Sequence, residues 1–155
     1  MRIREFQCEI WLPLPPEELF PFFADAGNLD AITPKWLNFR IATPRPIEMR
    51  EGALIDYKLR VRGMPLRWRT LIREWNPPHS FVDEQLRGPY WQWIHRHTFE
   101  PQNGGTLARD IVHYAVPFDF IAHPLFVRRD IERIFAYRQE ALRKKFGSKS
   151  QASSA

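Results

Sequence analysis

Residues 91–99 read Trp-Gln-Trp-Ile-His-Arg-His-Thr-Phe, an alternation that sets two histidines among aromatic side chains. In a strand, Trp91, Trp93, His95, His97 and Phe99 share one face, and Gln92, Ile94, Arg96 and Thr98 share the other. Arg96 and Glu100 mark the second face as wet, so both imidazoles point inward, where each needs a polar partner or a ligand. Asp83 and Asp110 are the candidate partners, and three chemistries suit the set. An imidazole titrates near neutral pH, and beside a carboxylate it can act as general acid or base on an enolisable substrate. Alternate residues of a strand can also share a metal, but a metal needs three or more ligands in fixed geometry and only the pair is visible, so no metal is assigned. The third role is structural: a carboxylate accepts from an imidazole and holds the aromatic wall in one rotamer.

The elements that must position these groups are mostly strands. Residues 3–12 alternate as a first strand, stopped by Pro13, Pro15 and Pro16. Pro16-Glu17-Glu18 opens a short apolar helix, since proline lacks the N–H that a first helical residue does not use and acidic groups suit the positive end of the dipole. A second short helix covers 27–32 and closes at Thr33-Pro34. Strands are then expected over 36–43, 53–62, 66–75, 80–87, 90–100 and 106–116, separated by glycine- and proline-rich turns, with Asn103-Gly104 the strongest tight-turn signal. Over 53–62, Ile55, Tyr57, Leu59 and Val61 oppose Asp56, Lys58, Arg60 and Arg62; after the turn, Leu66, Trp68, Thr70 and Ile72 oppose Arg67, Arg69 and Arg73. One face of this hairpin is wet and the other is core or cavity. Residues 124–146 form a long amphipathic helix whose stripe contains Phe126, Val127, Ile131, Ile134, Phe135, Leu142 and Phe146, with Arg138 inside it. Residues 1–147 make one domain, and 148–155 are a polar tail expected to be disordered.

Composition narrows the functional classes. The chain has 155 residues and a net charge of +5, but its basic residues alternate singly with apolar ones, the pattern of a solvated sheet face rather than a phosphate groove. Aromatics and arginines fall on opposite faces, which disfavours single-stranded nucleic acid as a partner. The seven glycines form no phosphate-cradling array and there is no Gly-x-Ser-x-Gly elbow. A single cysteine, Cys8, suits a reducing cytoplasm and reads as a small buried residue; no signal core or membrane-length apolar run is present. No cofactor is called for.

Several short motifs point to a family. They are Pro16-Glu17-Glu18-Leu19-Phe20 with Phe22-Phe23, Thr33-Pro34 with Trp36, Trp68, Trp75-Asn76-Pro77-Pro78, Phe81 with Asp83, and Gly88-Pro89-Tyr90. Trp93, His95, His97, Phe99, Asp110, Tyr114, Pro117, Phe135, Arg138 and Leu142 continue the pattern. Through them the chain resembles the START-like superfamily known as SRPBCC, in particular its polyketide cyclase/dehydrase-like and coenzyme Q-binding members, over residues 3–146. The resemblance implies an α+β helix-grip fold: a curved antiparallel sheet of about six to seven strands wrapped round a long C-terminal helix, with two short helices after the first strand and a deep cavity for hydrophobic ligands.

On that fold the expected cavity residues are Tyr57, Leu59, Trp68, Thr70, Ile72, Asp83, Trp93, His95, His97, Asp110, Val112 and Tyr114 from the sheet, with Ile131, Ile134, Phe135 and Arg138 from the helix. Arg138 is read first as a structural ion pair with Asp83 or Asp110, and otherwise as a clamp on an anionic ligand or a side chain reaching the rim. The function expected is binding or transport of a hydrophobic, aromatic or polycyclic small molecule or lipid. The alternatives are a cofactor-free cyclase or dehydratase using His95 or His97 with Asp110, and a protein-interaction module that meets an acidic partner through Arg60, Arg62, Arg67, Arg69 and Arg73.

Overall fold

The computed structural model describes residues 1–147. Seven strands, β1 (Arg4–Leu12), β2 (Arg40–Ile41), β3 (Leu54–Val61), β4 (Met64–Asn76), β5 (Ser80–Arg87), β6 (Gln92–Gln102) and β7 (Gly105–Ala115), form one antiparallel sheet. Their order is β1-β7-β6-β5-β4-β3-β2, so the first strand closes against the last. Two-residue loops join β3 to β4 and β6 to β7; both residues of each, Arg62-Gly63 and Asn103-Gly104, have positive φ, the backbone that matches the natural twist of a hairpin. The expected parity holds across β3: Ile55 and Tyr57 are buried, Lys58 and Arg60 exposed.

Helix α1 (Pro16–Phe23) starts with a proline in its first turn beside Glu17 and Glu18, and buries Leu19, Phe20, Phe22 and Phe23 against the sheet. A 3-10 helix, Ala26–Ile32, follows; the Asp25 carboxylate accepts from the Gly27 N–H at 2.8 Å and caps it. The C-terminal helical stretch runs through α2 (Asp119–Ala122), a π-helical turn (His123–Val127), α3 (Arg128–Leu142) and a second π-helical turn (Arg143–Gly147). This is the helix-grip arrangement: Ile131 and Phe135 of α3 pack on Val112 and Tyr114 of β7, while Leu142 and Phe146 join a second apolar cluster with α1 and β1.

Three local expectations are corrected. Residues 36–43 were expected to form a strand, yet Lys35–Leu37 is a 3-10 turn ended by Asn38 in the left-handed region, leaving only Arg40–Ile41 to pair; prolines at 34, 44 and 46 bound the segment too tightly for a longer ladder. The long helix begins at Asp119 rather than 124, with the π turn carrying the chain past Pro124, which can supply no helical N–H. Trp91 does not share the inward face of Trp93: it precedes β6, its N–H donates to the Ala115 carbonyl at 2.9 Å, and its side chain is exposed. The tail at 148–155 lies outside the described residues.

Candidate functional site

Between the concave sheet and the helices lies a cavity of about 790 Å³, within the range of small-molecule sites. Of the expected residues, Tyr57, Leu59, Trp68, Thr70, Ile72, Asp83, Trp93, His95, His97, Ile131, Ile134 and Phe135 line it. The alternation of β3 to β6 places the sheet members side by side, and the i, i+3, i+4 spacing of Ile131, Ile134 and Phe135 places the helix members opposite. Trp93 packs edge-on against Trp68, with ring centroids 5.5 Å apart, and lies 4.7 Å from Tyr90, so this part of the wall is aromatic. Burial pushes the Tyr57 and Tyr90 phenols upward, and both stay neutral.

Asp110, Val112, Tyr114 and Arg138, expected in the wall, are not among the residues that line the cavity. Their strand faces the right way, but α3 packs directly on β7 and fills the space there: Val112 and Tyr114 are buried against Ile131 and Phe135, and the Tyr114 hydroxyl lies 2.7 Å from His123 Nε2. Asp110 and Arg138 stand behind the imidazoles as a buried supporting layer.

The polar cluster is built diagonally. Register sets Asp83 opposite His95 and Asp110 opposite His97, yet His97 Nε2 bonds Asp83 Oδ2 at 2.6 Å and His95 Nε2 bonds Asp110 Oδ1 at 2.7 Å. The two imidazoles stack on each other, with centroids 3.7 Å apart, and Phe81 stacks on the outer face of His97 at 3.9 Å. Arg138 Nη2 lies 3.4 Å from His97 Nδ1 and 3.5 Å from Asp110 Oδ1. With an arginine donating to Nδ1 and a carboxylate accepting from Nε2, His97 is the neutral Nε2–H tautomer. Burial depresses its pKa to about 4, helped by the neighbouring His95 and opposed by Asp83. Burial alone would raise Asp110, but the Arg138 guanidinium and the bond from His95 outweigh it and hold this carboxyl well below its ordinary range. Asp83 is likewise held low against burial by His95 and by the bond from His97. Cys8 sits at the edge of this layer, its thiol 3.9 Å from Asp110 Oδ2; burial and then the Asp110 charge push it up to about 12, which leaves it unreactive.

One nitrogen each of His95 and His97 and one carboxylate oxygen of Asp83 lie within 4.8 Å of one another, a set of ligand types that could hold a metal. In the arrangement present, His97 Nε2 is committed to Asp83 at 2.6 Å and the imidazole planes are stacked rather than converging on one point, so the set fits a hydrogen-bonded cluster better than a coordination sphere. Sequence reasoning missed the wall supplied by the helical segments, including Phe23, Leu29, Trp36 and Arg133. It also missed Phe81, which shares its strand face with Asp83 and was legible by parity.

On the outside of the sheet Arg69 is paired bidentately with Asp56 and Arg73 lies 3.8 Å from Glu84, while Arg62, in the β3–β4 turn beside the cavity, is paired bidentately with Asp130. These arginines are largely satisfied within the chain.

The family described as polyketide cyclase/dehydrase and lipid transport matches residues 12–143. Among solved structures, a protein of Chromobacterium violaceum superposes with a TM-score of 0.72 at 16% identity, covering 92% of this chain and 97% of that one. The ZhuI aromatase/cyclase of Streptomyces sp. R1128 gives 0.67 at 13% identity, over 95% and 98%. A nucleoside-diphosphate sugar epimerase of Corynebacterium glutamicum gives 0.67 at 21% identity, over 96% of this chain but 30% of that one. At these identities the likeness is one of fold. No curated protein sequence matches the chain. Among the described residues, no helix is long and apolar enough to cross a membrane.

Proposed function

For a chain that belongs to the polyketide cyclase/dehydrase and lipid transport family, we propose binding or transport of a hydrophobic, flat, aromatic or polycyclic molecule or lipid in the cavity between sheet and helix. One observation carries this reading: a space of about 790 Å³ is walled by Trp68, Trp93, Tyr57, Ile134 and Phe135, with the polar cluster of Asp83, His95 and His97 set into that wall. Apolar walls supply the driving force and a few convergent polar groups orient the ligand. A single cysteine whose thiol stays protonated is compatible with a cytoplasmic setting. Native mass spectrometry of the purified protein, followed by solvent extraction, tests the proposal. A co-purified apolar small molecule is expected, and an empty protein that also fails to take up a panel of lipids and polycyclic aromatics overturns it.

A second reading, cofactor-free cyclase or dehydratase, is favoured by the orientation of His95. Asp110 takes its Nε2–H, leaving Nδ1 without a close hydrogen bond, 3.8 Å from Asp83 Oδ2, and both His95 and Asp83 line the cavity. An imidazole oriented by a buried carboxylate is the arrangement of a general base. Under this reading His95→Gln abolishes turnover of a captured polyketide-like substrate while retaining its binding.

A further inference from the structure

We infer that the end of the molecule bearing the cavity mouth docks on an anionic lipid bilayer. The inference rests on the proposed hydrophobic cargo only for its purpose; its physical basis is separate. A protein surface ordinarily scatters its apolar residues singly. Here Phe118 (74% exposed), Phe120 (77%), Ile121 and Leu125 project from one helical turn and its approach. Trp91, also exposed, lies at the end of the sheet from which the chain enters this helix: its backbone N–H donates to Ala115, three residues before Phe118. Met64 follows the β3–β4 turn, which is tied to the same helix by the Arg62–Asp130 pair and by Arg62 stacked 4.7 Å from the Phe126 ring.

This apolar surface rims the cavity rather than lying elsewhere. Arg62 and Gly63 of the turn, Pro89 and Tyr90 before Trp91, and Ala122 and Phe126 of the helix all line the cavity, and Gly63, Pro89 and Phe126 among them are exposed, so the cavity reaches the surface here. A hydrophobic cargo leaving there would pass straight into whatever covers the rim.

Charge selects the occupant. The acidic groups at this end are neutralised within the chain: Asp119 by Arg4 at 2.8 Å, Asp130 by Arg62 and Glu132 by Arg128. Arg2 is exposed and adds its charge to that of Arg4 beside the one carboxylate of Asp119; Arg129 is exposed with no ion pair seen among the described residues, and stands one turn beyond Leu125 on the same helical surface. Exposed aromatic and aliphatic side chains flanked by an excess of arginine over acid are the composition that enters the headgroup region of an anionic leaflet.

The test is co-sedimentation of the purified chain with vesicles of phosphatidylcholine alone and of phosphatidylcholine mixed with phosphatidylglycerol, with no cargo added. Binding to the mixed vesicles is expected, weakened about tenfold by Phe120→Ser and about fivefold by Arg129→Gln, with unchanged melting temperatures because both side chains project into water. Salt should weaken it further. Absence of binding to either vesicle, or equal binding to both, overturns the inference. So does a concentration-dependent dimer that Phe120→Ser dissolves, since the rim would then be covered by a second copy. Cargo capture by the unaltered chain is read separately by native mass spectrometry: vesicle binding without any cargo sinks the cavity proposal and leaves the docking surface standing, and cargo without vesicle binding does the reverse.

Discussion

His97 bonds Asp83 across a diagonal of the sheet, 2.6 Å from Nε2 to Oδ2, although strand register sets Asp83 opposite His95. The crossing lets each carboxylate reach one imidazole closely and lie near the other, so four groups and Arg138 become one buried network. Such a network is stiff when complete and costly when one member is removed.

Arg138→Met keeps most of the aliphatic stem and removes the charge that faces Asp110. An uncompensated buried carboxylate is expected to cost about 3 to 5 kcal/mol in urea denaturation. Because Arg138 does not line the cavity, ligand affinity in the folded fraction should be unchanged. A loss of affinity with unaltered stability would mean instead that Arg138 reaches the ligand.

Acid should destabilise the fold in two stages. His97 titrates at about 4 in the folded chain against 6.5 ordinarily, so the unfolded chain takes up this proton first and stability falls as pH drops from about 6.5 to about 4. That stage is worth about 3 kcal/mol. Asp83 and Asp110 are held below 3.8, so their contribution is present above that pH and is lost as pH falls through their folded values. Urea titrations across pH should show a continuous decline from neutrality, and His97→Gln should flatten its upper part; an equal slope in the variant would assign the proton to another group.

Two isoleucines one turn apart should respond differently to truncation. Ile131 is 1% exposed and packed against Val112 and Phe135, so Ile131→Ala is expected to cost about 2 to 4 kcal/mol. Ile134 is partly exposed and borders space that is already open, so Ile134→Ala should cost about 1 kcal/mol. Equal losses in thermal melts would show that the cavity collapses around Ile134 in solution.

Filling the cavity should separate binding from stability. Leu59 is half-buried in the wall, and Leu59→Trp adds volume toward the void rather than into packed core. Uptake of a fluorescent polycyclic probe should fall at least about tenfold with little change in melting temperature. Unchanged uptake would place the bound molecule elsewhere.

The amino-acid sequence by itself determined the helix-grip frame and the inward face of its central strands. Alternation in Ile55-Tyr57-Leu59, Trp68-Thr70-Ile72 and Trp93-His95-His97 is a local, period-two property, and burial of one sheet face enforces it. That His95 and His97 meet carboxylates was legible too, because buried imidazoles must be paired. What only the tertiary structure decided is depth. Tyr114 and Asp110 have the parity of wall residues, yet whether an inward side chain meets open space or packed helix depends on how α3 crosses the sheet, and that crossing is set by side chains far apart in the chain. The diagonal choice of partners is of the same kind: register brings Asp83 level with His95, but stacking of Phe81, His97 and His95 turns the rings so that the other carboxylate is closer. Trp91 shows the limit of periodicity, since a ladder that starts one residue later frees its side chain to face water.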